Sequence, residues 1–430
     1  MAPACVLVDR FVNFVDDPVL ATLTHLGLVG EEEETDGGAW KEAPNWDETP
    51  SWEAITKGIA TYLQSMKPDP QVFAPPTVSS LSLVRPPLSS DPVLEFGRQL
   101  DSAFIAAAEN NLVALYAGPY RPASSSEGCY LVYDACTNTV STIPGIPYSA
   151  SYFSVGNGTI IMADAHQDPG TFILAELLKL RSTPHQAKLC LWFQKAQSWV
   201  EKVVRLPTEV CPPKHMFDAH MAFSFDGKLF WVDLLHGLLI YDLKYPADGH
   251  PDFCFVQLPC GHSINTTSNP DHQLRPQEFR SMACVAGTIK FVNIDGYLQA
   301  SKPVNQLTLT TWTLDMDDLS HRWTQETKLC LGDLLADETF LSSDLTKMKP
   351  MYPVLSTQEH DVVYLVVGGV KAVGNHRVKR AQHLLSVNTR RSKVVSSTSY
   401  QEDIWPQLFA SDFNLYLQGS KHYQVIPAAS

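Results

Sequence analysis

Residues 220–259, HMAFSFDGKLFWVDLLHGLLIYDLKYPADGHPDFCFVQLP, predict three or four short β-strands in succession. Asp226-Gly227 is a two-residue turn signature between antiparallel strands, because glycine tolerates the positive φ that such turns require. A second tight turn is expected at His236-Gly237, where the chain reverses into another apolar run. A meander with apolar residues on both faces is not stable alone and must pack against similar sheets. The segment therefore predicts one unit of a repeat fold.

The same pattern of about four strands recurs along the chain at roughly 45–70 residue spacing, as in radial repeats. The recurring copies cover residues 112–144, 157–207, 220–259, 279–331 and 361–398. Strands expected at the two ends of the chain, 4–15 and 404–417, would complete a sixth blade and remove exposed sheet edges. We therefore predict an all-β, β-propeller-like fold with six blades of antiparallel strands.

The predicted organisation has four parts. Residues 1–30 are an N-terminal strand region that closes the propeller, and 31–92 are an acidic Trp- and Pro-rich insertion with a short helix and a linker. Residues 93–418 form the propeller-like domain and 419–430 a C-terminal tail. The helix is predicted at 53–66, where apolar residues recur on one helical face.

Composition favours a folded, strand-rich protein. The 430 residues are 44% hydrophobic and 10% aromatic, with 30 prolines and 23 glycines, which favours short strands joined by turns. The formal charge of −14 argues against attraction of the whole surface to nucleic acid or an anionic membrane. Asp9 and Arg10 interrupt the first apolar run, so we expect no signal peptide, and no run of about 18 apolar residues predicts a membrane span. A cytoplasmic or nuclear location is expected.

No catalytic motif stands out. The sequence has no GxSxG elbow and no HExxH, and the glycines at 368–374 lack the Lys-Ser/Thr of a phosphate loop. The nine cysteines form no CxxC pair, and several lie in apolar strand runs, where a free thiol is a small core residue. We predict no catalytic, cofactor-binding or metal-binding residues, hence a protein that is not an enzyme.

Trp231 and Asp233 are the candidate residues for a central cleft. They are two residues apart and so share one strand face. A carboxylate in an apolar strand must be paired or hydrogen-bonded. It can therefore line the cleft in which propellers bind ligands, or accept backbone N–H bonds at the end of its strand; the second interpretation is favoured.

An acidic segment contains a short tryptophan repeat, WKEAPN followed by WDETPS and a third tryptophan. Large aromatic residues commonly anchor partner binding, so Trp40, Trp46 and Trp52 are candidate partner-binding residues. The alternative is an insertion that packs its rings on the domain.

A local excess of positive charge between Asp361 and Glu402 gives a second candidate surface, able to bind an acidic partner or an RNA backbone. Its basic residues are Lys371, Arg377, Lys379, Arg380, Arg390, Arg391 and Lys393. No nucleic-acid motif accompanies them, so nucleic acid is an unlikely partner and a solvated hairpin edge is the leading interpretation.

Several segments in order resemble the plant domain-of-unknown-function 1618 family, which is expanded in grasses. The resemblance covers about residues 95–400, and its segments are AELLKL at 175–180, SWVEKVVRLP at 198–207, GKLFWVDLLHGLLIYDL at 227–243, FRSMACVAGTIKFVNI at 279–294, LTTWTLD at 309–315, LADETF at 335–340 and EHDVVYLVVG at 359–368. It implies similarity to the propeller-like domains associated with F-box proteins and supplies no catalytic residues. The first hundred residues contain no convincing F-box.

The sequence thus predicts a non-enzymatic protein–protein interaction or adaptor domain with an unknown protein partner, and the family resemblance implies roles in plant stress or development. The alternative is a carbohydrate-binding or hydrolytic propeller with carboxylates in a central cleft.

Overall fold

The computed structural model describes residues 3–17, 52–86, 100–118, 128–146, 149–163, 171–211, 217–244, 253–264, 274–299, 301–316, 321–336, 348–368, 370–373, 376–379, 382–400 and 408–417. This part of the chain contains 28 β-strands and two α-helices, α1 (Trp52–Gln64) and α2 (Leu331–Leu335). No described helix is long and apolar enough to cross a membrane.

Five successive groups of strands form antiparallel blades. Blade one contains β5 (Ser102–Glu109), β6 (Leu112–Ala117), β7 (Cys129–Asp134) and β8 (Thr139–Pro144). Blade two contains β9 (Tyr152–Ser154), β10 (Ile160–Ala163), β11 (Phe172–Leu180), β12 (Gln186–Phe193) and β13 (Ser198–Arg205). Blade three contains β14 (Met221–Phe225), β15 (Lys228–Asp233), β16 (Gly237–Asp242) and β17 (Cys254–Gln257).

Blade four contains β18 (Arg280–Val285), β19 (Thr288–Asp295), β20 (Thr308–Leu314) and β21 (Trp323–Cys330). Blade five contains β22 (Met351–Leu355), β23 (Val362–Val367), β26 (Gln382–Asn388) and β27 (Lys393–Tyr400). Between β23 and β26 the chain forms a separate hairpin of β24 (Val370–Val373) and β25 (His376–Lys379).

The sixth blade combines the two ends of the chain. It contains β28 (Leu408–Ser411), β1 (Val6–Asp9), β4 (Val78–Val84) and β3 (Lys67–Gln71). β1 pairs antiparallel with β28 and parallel with β4. The next strand, β2 (Phe11–Val15), pairs with both β4 and β5, so blades six and one share one nine-stranded sheet.

The inner strands of the six blades are β5, β10, β14, β18, β22 and β28, and along this series each strand contacts the one named after it. Apolar side chains fill the space between neighbouring blades. The all-β, propeller-like class predicted from the sequence is confirmed, although none of the described sheets closes on itself.

Part of the segment predicted as a linker is regular structure. Strands β3 and β4 lie within it, and β4 forms the middle of blade six. Pro68 and Pro70 belong to β3, which pairs only with β4. Proline is tolerated on such an edge strand because its missing N–H faces away from the sheet. The helix predicted at 53–66 is α1, and Leu63 within it and Met66 just after it are buried against blades six and one.

Candidate functional site

A cavity of about 700 Å³ lies at the end of the propeller where the inner strands begin. The first residues of β5, β14, β18 and β28 all line it, namely Ser102, Met221, Arg280 and Leu408. Because these four inner strands start at this end, residues far apart in sequence converge on one space. The geometry is that of a central ligand site in a repeat fold.

The cavity wall is cationic. Arg10, Arg275 and Arg280 line it together with His220. Its other polar residues are neutral hydrogen-bonding groups: Ser102, Tyr116, Ser154, Asn157, Thr159, Gln277, Ser281 and Tyr352. None of the lining residues, all within the described ranges, is Asp or Glu. Such a wall is suited to an anionic ligand.

Arg10 lies at the junction of β1 and β2 and is fixed by main-chain acceptors of blade one. Its Nη1 donates to the carbonyl oxygens of Ile105 (2.9 Å) and Ala106 (3.2 Å). The guanidinium also stacks over the ring of Phe409, 4.8 Å from the centroid. Burial lowers the pKa of Arg10 to about 10, because it disfavours the charged form of the side chain.

Arg280 begins β18 and is 4% exposed. Its Nε donates to Oδ1 of Asn293 (2.8 Å) and its Nη1 donates to the carbonyl oxygen of Leu234 (2.7 Å). Burial lowers the pKa of Arg280 to about 10, although the charges of Asp295 and Asp233 oppose this shift. The hydrogen bond to Leu234 joins blades three and four at the cavity wall.

Asp233 and Trp231 do not line the cavity, so the candidate cleft residues lie outside it. Asp233 is 1% exposed and accepts hydrogen bonds from the backbone N–H of Leu235 (2.9 Å) and Asp218 (3.4 Å). Its Oδ1 also lies 3.5 Å from Nδ1 of His220, which does line the cavity. Asp233 is not a cavity residue because it ends strand β15, where its carboxylate accepts hydrogen bonds from backbone N–H groups.

Trp231 is a packing residue between blades two and three. It is fully buried, and its Nε1 donates to the carbonyl oxygen of Gly158 (2.7 Å). Its ring contacts that of Phe253 edge to face, at 5.9 Å between centroids.

The two other candidate surfaces are only partly described. Trp40 and Trp46 lie outside the described residues, while Trp52 begins α1. Lys371, Arg377 and Lys379 belong to the β24–β25 hairpin, and Arg380 lies outside the described residues. Arg390 is 80% exposed and lies 3.9 Å from the carboxylate of Asp361. Arg391 and Lys393 lie at the turn between β26 and β27.

Buried thiols and carboxylates form no metal centre. Among the residues that the structure describes, no three His, Cys, Asp or Glu side chains are placed to hold a metal ion.

The family comparison bears on blades three to five. Residues 231–364 match the DUF1618 family model, described as a protein of unknown function. The DUF1618 match supports the family resemblance of the central segments, and it assigns no activity. The comparison with curated proteins gives no match.

Solved structures similar to the chain include a GH43 β-1,3-galactosidase, BT0265 (10% identity, TM-score 0.32), where the alignment covers 68% of this chain and 58% of that one. The β-propeller domain of the Trilobed protease from Pyrococcus furiosus has 9% identity and a TM-score of 0.32, over 70% of this chain and 99% of that one. The Cps50 (Swd1) β-propeller domain of Myceliophteria thermophila has 11% identity and a TM-score of 0.29, over 66% and 82%. The chain thus spans less than two thirds of the galactosidase.

The cavity arginines were not among the residues predicted from the sequence. One signal was available, because Arg10 interrupts the apolar strand sequence VLVDRFVNFV, and a charge within such a strand needs a partner or a function. Arg275 and Arg280 carry no such local signal, since they lie beside a turn and at the start of a strand.

Proposed function

We propose that this protein is a non-enzymatic interaction domain that binds a protein partner on the face where the cationic cavity opens. The observation that supports this function is the set of three arginines in the cavity wall. Arginine is favoured in recognition of carboxylate and phosphate groups, because its planar guanidinium can donate two parallel hydrogen bonds.

The hydrolytic alternative requires different chemistry in the same place. Most glycoside hydrolases use two carboxyl groups on either side of the scissile bond, as acid and as nucleophile or base. The lining residues contain arginines, one histidine and neutral polar groups where such a pair would be needed. The cavity composition therefore favours recognition of an anion over hydrolysis of a sugar.

The proposal includes a role in plant stress or development, as the family resemblance implies, and the cytoplasmic or nuclear location expected from the sequence. The tryptophan repeat and the basic hairpin remain candidate secondary contacts of the same partner. Deleting residues 31–51 would test the repeat, since an unchanged partner list would remove Trp40 and Trp46 from the binding surface.

The test of the main proposal is capture of partners by two matched variants. Phe11 lines the cavity and is 47% exposed, while Val203 is 58% exposed on the outer strand β13. Affinity purification with mass spectrometry would compare Phe11→Glu with Val203→Glu. We expect Phe11→Glu to lose the partners that the unmodified chain and Val203→Glu retain. Identical partner lists for all three proteins would overturn the proposal.

A further inference from the structure

Two arginines of the cavity wall come from separate blades. Arg10 follows β1 of blade six and is held by carbonyl oxygens of β5 in blade one, whereas Arg280 begins the inner strand of blade four. Both side chains line the same cavity. A ligand in the cavity can therefore meet two guanidinium groups from separate parts of the fold.

Neither guanidinium forms an ion pair with a carboxylate of the described residues. Within that part of the chain, the hydrogen bonds of Arg10 and Arg280 go to main-chain carbonyls and to the amide of Asn293. Asp9, next to Arg10 in sequence, accepts a hydrogen bond from the backbone N–H of Phe11 (2.9 Å), and the charges of Asp295 and Asp233 act on Arg280 from beyond ion-pair distance. Because a buried charge without a directly paired counter-charge is costly, a bound anion would reduce that cost at Arg280.

Each arginine keeps donors for a ligand. Within the described residues, hydrogen bonds engage Nη1 of Arg10 and leave its Nε and Nη2, and they engage Nε and Nη1 of Arg280 and leave its Nη2. The bonded nitrogens hold each side chain in place, so a ligand would meet cations that are already oriented.

We infer that Arg10 and Arg280 form a two-point anion site that takes a peptide segment carrying two acidic side chains, one for each arginine. This inference rests on the proposed function, which supplies a protein as the partner. The cavity volume of about 700 Å³ lies within the usual range of ligand pockets, and its wall also contains Phe11, Phe104 and Tyr352. These rings give apolar surface for the residues between the two acids.

The test uses fluorescence anisotropy with labelled Gly-Ser peptides that contain two glutamates at varied separations, one glutamate, or glutamines only. The proteins are the full chain, Arg10→Gln, Arg280→Gln and the double variant. Arg322→Gln is the matched control, because Arg322 is exposed and is not a cavity residue. Arg10→Lys and Arg280→Lys keep the positive charge, so they still test the site if a Gln variant does not fold.

We expect a two-glutamate peptide to bind more tightly than the one-glutamate and glutamine peptides. Each Gln substitution should weaken binding by about tenfold, the usual effect of one charge-assisted hydrogen bond. The Lys variants should be intermediate and Arg322→Gln unchanged. Equal binding of all peptides, an equal effect of Arg322→Gln, or tighter binding of inorganic tripolyphosphate or an RNA oligonucleotide would overturn the inference.

The two proposals fail in different ways. If Phe11→Glu removes partners but the purified chain does not distinguish glutamate from glutamine peptides, the two-point site is wrong and the interaction face stands. If the peptides bind in an arginine-dependent way but Phe11→Glu changes no partner, only the proposed function is wrong.

Discussion

The hydroxyl group of Tyr130 donates a 2.8 Å hydrogen bond to Oε1 of Glu176, and both side chains are buried. Tyr130 belongs to β7 of blade one and Glu176 to β11 of blade two, so the bond crosses a blade boundary. Thr159, which lines the cavity, donates to the same oxygen. Burial outweighs these two hydrogen bonds and raises the pKa of Glu176 to about 7.

The buried carboxyl group makes stability depend on pH. The folded-state pKa of about 7 lies above the ordinary value of 4.5, so the folded protein binds the extra proton between them. The stabilising contribution is complete below the ordinary value and is lost as the pH rises through about 7. The difference between the two pKa values corresponds to a loss of about 3 kcal/mol in the free energy of unfolding. The glutamine of Glu176→Gln resembles the protonated carboxyl group, so this variant should not lose stability in the same way as the pH rises.

Urea unfolding of both proteins from about pH 5 to about pH 8 tests this expectation. The midpoint of Glu176→Gln should exceed that of the unmodified chain by an amount that grows with pH. Other titrating groups cancel in the difference between the two proteins. A difference that is constant across this range would contradict the assignment.

Trp231→Phe should destabilise the boundary between blades two and three. The change leaves the carbonyl oxygen of Gly158 without its 2.7 Å donor and opens a space in a fully buried site. We expect a loss of about 2–4 kcal/mol in the free energy of unfolding. Trp323→Phe is the control, because Nε1 of Trp323 also donates a 2.7 Å hydrogen bond, to the carbonyl oxygen of Gln257, but in an exposed position. It should cost about 1 kcal/mol or less, and equal losses would refute the burial argument.

The blade architecture follows from local sequence signals. The turn between β14 and β15 has φ of +47° at Asp226 and +71° at Gly227, as the hairpin signature predicts. Apolar runs then mark the inner and middle strands of each copy. Strand β3 was not predicted because it contains prolines, which a β-strand tolerates only at the edge of a sheet. The local sequence does not show whether a strand will lie at an edge.

The site could not be predicted in the same way. Arg10, Arg275 and Arg280 line one cavity because the chain ends pair and four of the inner strands begin at that face. That convergence depends on the order of the blades, which no short pattern contains. Asp233 drew attention because it is polar within an apolar strand, yet its carboxylate accepts local N–H groups. Local patterns therefore identified the buried polar residue and not the cavity residues.

Gly156→Ala should be far more disruptive than an alanine at another left-handed glycine. Gly156 has φ of +58°, and an added Cβ would lie 2.3 Å from the carbonyl oxygen of Ala219. Gly287 has φ of +81° with nothing within 4 Å of its Cβ position, so Gly287→Ala measures the backbone cost alone, about 1–2 kcal/mol. Gly156→Ala should add about 1–3 kcal/mol of steric strain.

Thermal unfolding of the two glycine variants would measure this difference. Gly156 also lines the cavity, so its displacement should weaken peptide binding as well, whereas Gly287→Ala should leave binding intact. Equal melting temperatures would contradict this prediction, because they would show that the backbone near Ala219 can move away from the added Cβ without loss of stability.

Lys290 and Glu326 form an ion pair, and we expect the loss of stability to differ according to which of the two residues is substituted. Lys290 is 2% exposed, and its Nζ donates to Oε2 of Glu326 (2.5 Å) and to the carbonyl oxygen of His360 (2.8 Å). Burial opposes ionisation of Glu326, but the hydrogen bond and charge of Lys290 outweigh it and hold the pKa of Glu326 below its usual value. Glu326 itself is 34% exposed.

Glu326→Gln leaves the buried ammonium group without its counter-charge, and we expect a loss of about 2–4 kcal/mol in the free energy of unfolding. Lys290→Met removes the buried charge itself, and the half-exposed Glu326 can be hydrated, so its loss should be smaller. Glu201→Gln is the control, because the Lys188–Glu201 pair is closer to solvent and should contribute at most about 1 kcal/mol. Urea midpoints at neutral pH would rank the three variants, and a larger loss for Lys290→Met than for Glu326→Gln would show that the ammonium group is better hydrated than its burial implies.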